Sequence, residues 1–535
     1  MPTLRIEQVP LTLNEKEDLL EGKISDILQI PKKDILSYKI VKRTIDSRKK
    51  KMLFVHSIDV EIKDVKLIKV WDKHHRTRVH EPFVYKEKIA KDSAEKKASS
   101  DKQVVVVGSG PCGLFATLLL AKAGLNPLLI ERGKEVDKRI KDVDAFAEKR
   151  KFNPKSNIQF GEGGAGTFSD GKLYTLINDP RSQYVFTKMI EAGAPEEISW
   201  SGTPHIGTDN LRGVVKNLRK EIIKLGGEVK FETCLTDLET KNGKITGITL
   251  NDKKKIPVET LILATGHSAR DTYQMLYDRD LEMKAKPFSM GLRIEHSAKM
   301  ISKSQYGENY NNPRIGTAKY KLVQHQDDYR LVYTFCMCPG GYVMGATSEE
   351  EAVVSNGMSE YAQDGSNSNS ALLVPVTPED FGSDHPLAGI EFQRKWEKAA
   401  YIAGGSDYSA PVQLVGDFLA RKASTKTRSI NPTYKPGVKP TALDSCLPDY
   451  IIESIRRALP KLGTKIKGFD HTDAVLTGIE TRSSSAVRIE RDKESFESNI
   501  KGVYPAGEGA GHAGGIVSSA IDGMKVAEAI IDKYR

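Results

Sequence analysis

Val104-Val105-Val106-Val107-Gly108-Ser109-Gly110-Pro111-Cys112-Gly113 is the stretch from which the rest of the chain can be read. Four consecutive β-branched residues run into a turn of three glycines. A continuous apolar run of this kind suits a strand buried on both faces of a parallel sheet. The glycines stand at G-x-G-x-x-G spacing. Gly108 permits the tight turn, Gly110 lets the backbone approach a pyrophosphate, and Gly113 lets the following helix pack closely on the strand. Residues 114–123 carry a helical pattern, so the helix N-terminus offers free N–H groups and a positive dipole end to an anion. Residues 128–130 read as the second strand. Glu131 closes it, 18 residues beyond Gly113, where an acidic side chain accepts from both hydroxyls of a ribose.

Around this stretch lie 535 residues, enough for two to four domains with cores of their own. Hydrophobic residues make up 39% and charged residues 28%, an ordinary balance for a soluble globular chain. No apolar run approaches the roughly 18–20 residues of a membrane span. The start, MPTLRIEQVP, lacks the apolar core of a secretory signal. Five cysteines, an odd and small number, argue against a disulfide framework and for the cytoplasm. The net charge is +10, and residues 1–102 hold 24 Lys and Arg against 17 Asp and Glu.

In chain order, residues 4–9 read as a strand. Thr12-Leu13-Asn14-Glu15 matches a capping box for a helix carrying Leu19, Leu20, Ile24, Ile27 and Leu28, with Pro31 as its stop. Residues 35–45 and 53–62 read as two further strands, a β-α-β-β order that predicts a small ferredoxin-like α/β unit. Arg48-Lys49-Lys50-Lys51 is either a solvated hairpin tip or a contact for an acidic partner such as nucleic acid. Residues 86–102 have a linker composition. Residues 135–151 form a charged amphipathic helix. The loop from Gly161 to Gly171 then packs five further glycines into a short span with Phe160, Phe168 and Leu173 around it. Such density excludes regular structure and lets backbone come close to a ligand. Residues 211–225 read as a helix, 232–238 and 244–250 as strands joined at Asn242-Gly243, and 260–263 as a buried strand ending in Ala264-Thr265-Gly266. Strand patterns follow at 288–295, 317–324, 329–338 and 341–347. A polar long loop is expected at 355–370, and helices at 392–401 and 450–458. The end returns to strand, glycine turn (502–515) and helix (517–533).

The set VVVVGSGPCGL…IERG, SNIQFGEGGAGTFSDGKL, LILATGHSARDT, GIETRSSSAVRI and GVYPAGEGAGHAGGIVSSAIDG resembles the bacterial FAD-dependent proteins of the NAD(FAD)-utilizing dehydrogenase family, over nearly the whole chain. The resemblance implies FAD and an oxidoreductase. It also implies an α/β glutathione-reductase-like Rossmann FAD domain (103–283 and 470–535), interrupted by an inserted mixed α+β substrate or cap domain (284–469). The small N-terminal domain (1–85) and a linker (86–102) precede it. One departure is visible. The C-terminal turn of flavoproteins usually carries Gly-Asp, and here it is Gly507-Glu508.

Carried over by position, Gly108, Gly110 and Gly113 hold the pyrophosphate and Glu131 the adenosine ribose, and Arg132 either meets the adenine or a phosphate or is a simple surface arginine. Gly163, Gly164, Ala264, Gly266 and Gly507 bring backbone to the cofactor, and Glu508 reaches a ribityl hydroxyl through one extra methylene. Gly514, Gly515 and Ile516 open a helix toward the flavin pyrimidine edge, where a positive dipole end stabilises charge. The expected catalytic residues are Lys172 (flavin or anionic substrate, or a surface lysine after a glycine turn), Arg482 (a substrate carboxylate or phosphate, or a salt bridge to Glu480) and His512 (acid or base, or a helix-cap contact). Arg293 has the same two readings as Arg482. Cys336 and Cys338 read as buried strand cysteines, with a redox role as the alternative, and no metal site is expected. The pair typical of flavin disulfide reductases, two cysteines four residues apart on the helix that follows the second strand, is missing, as is the second dinucleotide fold that such enzymes use for NADPH.

The leading expectation is hydride transfer to or from flavin N5, with a small-molecule substrate and NAD(P)H as a transient electron donor. Flavin-dependent RNA modification or RNA binding through the basic N-terminal unit is one alternative. A redox-responsive binding module with structural FAD is the other.

Overall fold

Alternating apolar residues over the first sixty positions build an antiparallel sheet. The structure, a computed structural model, describes residues 3–48, 51–68, 74–88, 103–175 and 177–534. Strand β1 (Thr3–Thr12) turns Leu4, Ile6, Val9 and Leu11 inward across a bulge. Helix α1 (Leu20–Leu28) covers them with Leu20, Ile24 and Leu28. Strands β2 (Ile35–Asp46), β3 (Leu53–Ile62) and β4 (Arg78–Val79) complete the order β2-β3-β1-β4. Two expectations shift here. The Thr12–Glu15 contact closes a turn rather than the helix, which starts only at Leu20. The helix also stops before Pro31, at Leu28, because Gln29 turns left-handed and its N–H bonds Ser25. Lys49 and Lys50 of the basic run and residues 89–102 of the expected linker lie outside the described residues. The N-terminal sheet docks through Arg43, whose backbone N–H donates to Trp200 (2.7 Å) and whose guanidinium lies 4.4 Å from that ring.

The second sheet starts at the quoted stretch. Strand β5 (Gln103–Val107) feeds helix α2 (Pro111–Lys122), then β6 (Leu128–Ile130) and helices α3 (Val136–Lys149), α4 (Arg181–Glu191) and α5 (Thr208–Lys224). Strand β7 (Glu228–Lys230) follows, and β8 (Leu235–Lys241) and β9 (Lys244–Leu250) form a hairpin. The long β10 (Lys254–Leu263) pairs antiparallel with β9 through its first half and parallel with β5 through its second. Helix α6 (Arg270–Tyr277) comes next.

The chain then leaves this layer. A ribbon strand, β11 (Met283–Ala285), precedes β12 (Phe288–Ser297), helix α7 (Ala298–Tyr306), β13 (Val323–Gln324), β14 (Val332–Cys338), β15 (Tyr342–Gly345), β16 (Ser355–Met358) and β17 (Asn367–Val376). Helix α8 (Ala388–Ala403), β18 (Ala410–Leu414), helix α9 (Val415–Leu419), β19 (Val438–Pro440), helix α10 (Asp449–Lys465) and β20 (Val475–Glu480) follow. They give a seven-stranded sheet ordered β13-β14-β17-β12-β20-β18-β19, antiparallel except at its β18/β19 edge. The ribbon partner β21 (Val487–Ile489) leads to β22 (Val503–Pro505) and helix α11 (Ile516–Lys533).

With β22 beside β10, the parallel strands stand in the order β7-β6-β5-β10-β22. This is the Rossmann order 3-2-1-4-5, and its ligand crevice lies at the carboxyl ends of the strands. Helix α2 is apolar all round, with residues 112–121 buried, because the sheet covers one side and α11 the other.

Three sequence expectations are corrected by this fold. Residues 355–370 are not a long loop: β16 and the start of β17 lie there, with Asn367 to Ser370 buried. Of 317–324, only Val323–Gln324 pairs as strand. The boundary expected at residue 470 falls inside the sheet ordered β13-β14-β17-β12-β20-β18-β19, since β20 pairs with β12 and β18, and the chain rejoins the Rossmann sheet only at β22.

Candidate functional site

The phosphate turn has the expected shape for steric reasons. Gly108 sits at φ +101°, and a Cβ there would stand 2.3 Å from the Ala264 carbonyl oxygen. A Cβ on Gly113 would stand 1.8 Å from the Gly108 oxygen. Both glycines are therefore required by the protein itself. Gly110 differs. It is the N-cap of α2 at φ −71°, and the nearest atom to an added Cβ is Gly164 Cα at 3.9 Å. A methyl group there would project into a cavity, into which Gly266 and Gly514 also open with nothing within 4 Å of their added Cβ atoms. Three bare backbone faces around one space, at the N-terminus of α2, fit the pyrophosphate and ribityl chain of FAD.

Glu131 is buried at the cavity edge and its carboxylate is already taken up. Oε2 accepts from Ser109 N (2.9 Å) and Ser109 Oγ (2.8 Å), and Oε1 accepts from Gly133 N (2.9 Å) and Gly161 N (3.0 Å). A carboxylate has about four acceptor positions, so the expected ribose acceptor acts here as a clamp on three turns. Arg132 also lines the cavity. Its guanidinium makes two hydrogen bonds to Asp271 (3.0 Å each) and one to Thr272, and it lies 4.5 Å from the Phe160 ring.

The glycine loop is ordered, with a 3-10 turn at Gly164–Phe168 and with Phe160, Phe168 and Leu173 buried. Its organiser is Arg139, a residue sequence reasoning missed. The fully buried guanidinium donates to the carbonyls of Asn157 (2.8 Å), Ile158 (2.8 Å), Glu162 (2.7 Å) and Gly164 (2.9 Å). Burial pulls its pKa down to about 9 against the opposing pull of Glu131 and Glu162. A signal was available: Val136, Arg139, Val143 and Phe146 share the buried face of α3. Gly164 borders the cavity, while Gly163 stands behind it and donates to the Ser109 carbonyl (2.9 Å).

From the other side come Ala264, Gly266, Glu508, Gly514, Gly515 and Ile516, all in the cavity wall. Gly507 is behind the wall, its N–H held by Asp522 (2.7 Å). Burial pushes the Glu508 carboxyl up to about 7, with Lys286 opposing. His267 Nε2 lies 4.0 Å from it. Burial, with Arg482 and Arg270 nearby, brings His267 down to about 3, so it is neutral at physiological pH.

The far wall is built by β14, β16 and β20, through Phe335, Cys336, Asn356 and Glu480. Lys172 Nζ pairs with Asp170 (2.9 Å) and lies 3.5 Å from Cys338 Sγ and 3.8 Å from Cys336 Sγ. Burial would lower the Lys172 pKa, but the two sulfurs and Asp170 outweigh it and raise it. The salt bridge expected between Arg482 and Glu480 is exchanged for two others. Arg293, fully buried, takes Glu480 through Nε and Nη2 (2.6 and 3.0 Å). Arg482 takes Glu397 of α8 through Nε and Nη2 (3.0 and 2.8 Å), and its Nη1 donates to Ser268 and Ser348. Arg270 grips the same Glu397 (2.8 and 2.9 Å). Burial raises the Glu397 carboxyl, yet the two guanidinium groups hold it well below the usual range. Arg482 thus borders the cavity with its donors engaged, which makes it a positioning residue. His512 is outside the cavity wall: its Nε2 donates to the Ile489 carbonyl (2.9 Å), and burial lowers its pKa. Lys172 alone of the three expected catalytic residues presents a charge to the cavity beside reactive groups.

Among the described residues no helix is long and apolar enough to cross a membrane, and no group of three or more His, Cys, Asp and Glu is arranged for a metal.

Three family models match parts of the chain. Residues 102–278 match the pyridine nucleotide-disulphide oxidoreductase family, 287–483 the C-terminal domain of FAD-dependent proteins, and 3–61 a domain of unknown function. A Clostridium beijerinckii protein, described as uncharacterized, is 47% identical over 99% of both chains. Digeranylgeranylglycerophospholipid reductase of Methanocaldococcus jannaschii is 33% identical over 91 residues, 16% of this chain and 23% of that one. Among solved structures, glycine oxidase from Bacillus cereus covers 81% of this chain and 96% of its own at 11% identity and TM-score 0.31. L-proline dehydrogenase from P. horikoshii covers 81% and 94% at 12% identity and TM-score 0.34. The chain therefore belongs to the family of bacterial FAD-dependent oxidoreductases in which a pyridine nucleotide-disulphide oxidoreductase segment is followed by the FAD-dependent C-terminal segment.

Proposed function

We propose that the protein is an FAD-dependent dehydrogenase that passes a hydride between a small-molecule substrate and flavin N5, with NAD(P)H as a transient electron donor. The observation that carries this reading is the cavity onto which Gly110, Gly266 and Gly514 open together. Gly110 and the α2 N-terminus would hold the pyrophosphate, and Glu508 the ribityl chain. The bound flavin supplies a reversible two-electron acceptor.

The chain's own residues do the rest. The N-terminus of α11, at Gly514, Gly515 and Ile516, brings a positive dipole end to the wall. Glu508, neutral below about pH 7, donates a hydrogen bond to a hydroxyl and above that pH accepts one. Lys172 keeps its proton and attracts an anionic substrate group. The Arg270–Glu397–Arg482 cluster fixes the cover against the cofactor unit and excludes water from that side. In this reading residues 1–85 form a ferredoxin-like unit. Residues 103–283 and the segment from β22 onward form a glutathione-reductase-like cofactor unit, and the intervening residues form the substrate cover. Five free thiols fit a reducing cytoplasm.

Anaerobic mixing of the flavin-loaded protein with NADH, NADPH and a metabolite panel tests the proposal. Stoichiometric bleaching by at least one donor is expected. Flavin that no donor reduces would overturn it.

A further inference from the structure

We propose that Cys336 and Cys338 form a redox-active thiol pair in the cavity wall, with Lys172 as its charge partner and low-molecular-weight disulfides as its substrate class. The proposal rests on reading this cavity as the seat of two-electron chemistry.

A regular strand would carry residues 336 and 338 on one face with their side chains well apart. Here β14 is irregular between Phe335 and Cys338, and Cys336 adopts a left-handed conformation at φ +43°. The bulge gathers both sulfurs around the one Lys172 ammonium, at 3.8 and 3.5 Å. Bulges of this kind re-aim a side chain, and the left-handed conformation is one that a residue with a side chain adopts at a steric cost. The two thiols are unequal. Cys336 borders the cavity, and the exposed rings of Phe335 and Tyr174 flank it. Cys338 is completely buried behind it, its Sγ directed at the Cys336 carbonyl (3.3 Å). An accessible attacking thiol backed by a shielded resolving thiol is the arrangement that disulfide exchange requires.

The surrounding charges agree. Hydrogen bonding from Cys338, then Lys172 and Arg293, hold the Cys336 thiol well below its ordinary range against burial and Asp170. The thiols of Cys112, Cys234, Cys338 and Cys446 are all raised. The groups facing the pair are thus Lys172, Asp170, Arg293 and Glu480.

In the reaction, the Cys336 thiolate attacks one sulfur of a substrate disulfide. The substrate S–S bond breaks, a mixed disulfide forms, and the first substrate thiolate leaves. Cys338 loses its proton and attacks the Cys336 sulfur, and the second thiolate leaves. One substrate disulfide becomes two thiols, and the protein dithiol becomes a disulfide by loss of two electrons. One product proton comes from Cys338 and the other from solvent.

The test uses the flavin-loaded full chain and hydroxyethyl disulfide. Two thiols should be released per chain. Alkylation after unfolding should then spare both Cys336 and Cys338 until dithiothreitol is added. Cys338→Ser should release one thiol and stop at the mixed disulfide. Lys172→Met should slow the first release about tenfold at neutral pH, as the thiolate fraction falls. Anaerobic reductive titration of the treated wild type should consume four electrons per chain, two for the flavin and two for the disulfide, against two for Cys336→Ser, which lacks the attacking thiol. Full alkylation of both cysteines after treatment, or complete reduction of the wild type by two electrons, would overturn the pair. A chain that releases two thiols yet holds no flavin would support the pair while refuting the dehydrogenase reading.

Discussion

Replacing Gly110 by alanine should separate cofactor binding from folding. The added Cβ has no protein atom nearer than 3.9 Å, and φ at −71° is open to any residue. Alanine at an N-cap costs about 0.5–1 kcal/mol relative to glycine. Loss of glycine's freedom in the unfolded chain returns about 0.4–1 kcal/mol. The folded protein should therefore keep its stability to within about 0.5 kcal/mol. The methyl group, however, occupies the space where the pyrophosphate would meet the backbone. A loss of about a hundredfold in FAD affinity, about 2.7 kcal/mol, is expected. Gly113→Ala is the contrast. Its Cβ would stand 1.8 Å from the Gly108 oxygen, so α2 must move off the strand, at a cost of about 1–3 kcal/mol or more. Urea denaturation of the flavin-free proteins and fluorescence titration with FAD read the two quantities separately. If Gly110→Ala bound FAD like the wild type, or unfolded as readily as Gly113→Ala, the assignment of this turn to the pyrophosphate would fail.

Three further outcomes follow from the buried charges. Glu397→Ala leaves Arg270 and Arg482 buried without their shared partner, and urea denaturation should show a loss of about 3–5 kcal/mol. Arg139→Met keeps volume but strips the donor from four loop carbonyls. It should cost about 3 kcal/mol or more and lower the flavin content of purified protein. The third concerns Glu508, whose carboxyl is raised from 4.5 to about 7 in the folded chain. The unfolded chain releases that proton first. The stability contribution is therefore complete below pH 4.5 and lost as pH rises through 7, by at most about 3 kcal/mol. Solvent screening of a side chain 28% exposed reduces that figure. Glu508→Gln should flatten this part of the pH–stability profile of the flavin-free protein, and an unchanged slope would contradict the assignment.

Local pattern made the phosphate turn legible. β5, α2 and β6 are contiguous in sequence, and the steric need of Gly113 arises within that unit, whereas that of Gly108 comes from Ala264 at the end of β10. The C-terminal return was legible for the same reason, as a strand, a glycine turn and a helix in one run. Residues 355–370 were misread because their strand character depends on distant partners. Asn369 is buried where its Oδ1 accepts from Arg293, and Asn367 where it donates to Glu295. Polar side chains satisfied across a sheet look like loop in isolation. Arg482 and Glu397 are 85 residues apart, so no spacing rule joins them, whereas Glu480 was near in sequence and already held by Arg293. Arg139 was visible on the apolar face of α3, as the one charge among Val136, Val143 and Phe146. The closeness of the Cys336 and Cys338 sulfurs to one lysine was not legible, because a bulge in β14 produces it.

The central claim is that this cavity holds FAD, and the nucleotide released from the purified protein tests it most directly. Denaturing the protein and identifying the liberated cofactor by chromatography and mass should yield FAD at one per chain, and much less from Gly110→Ala. Release of NAD in its place, or a wild-type chain that neither carries nor takes up flavin, would contradict the account.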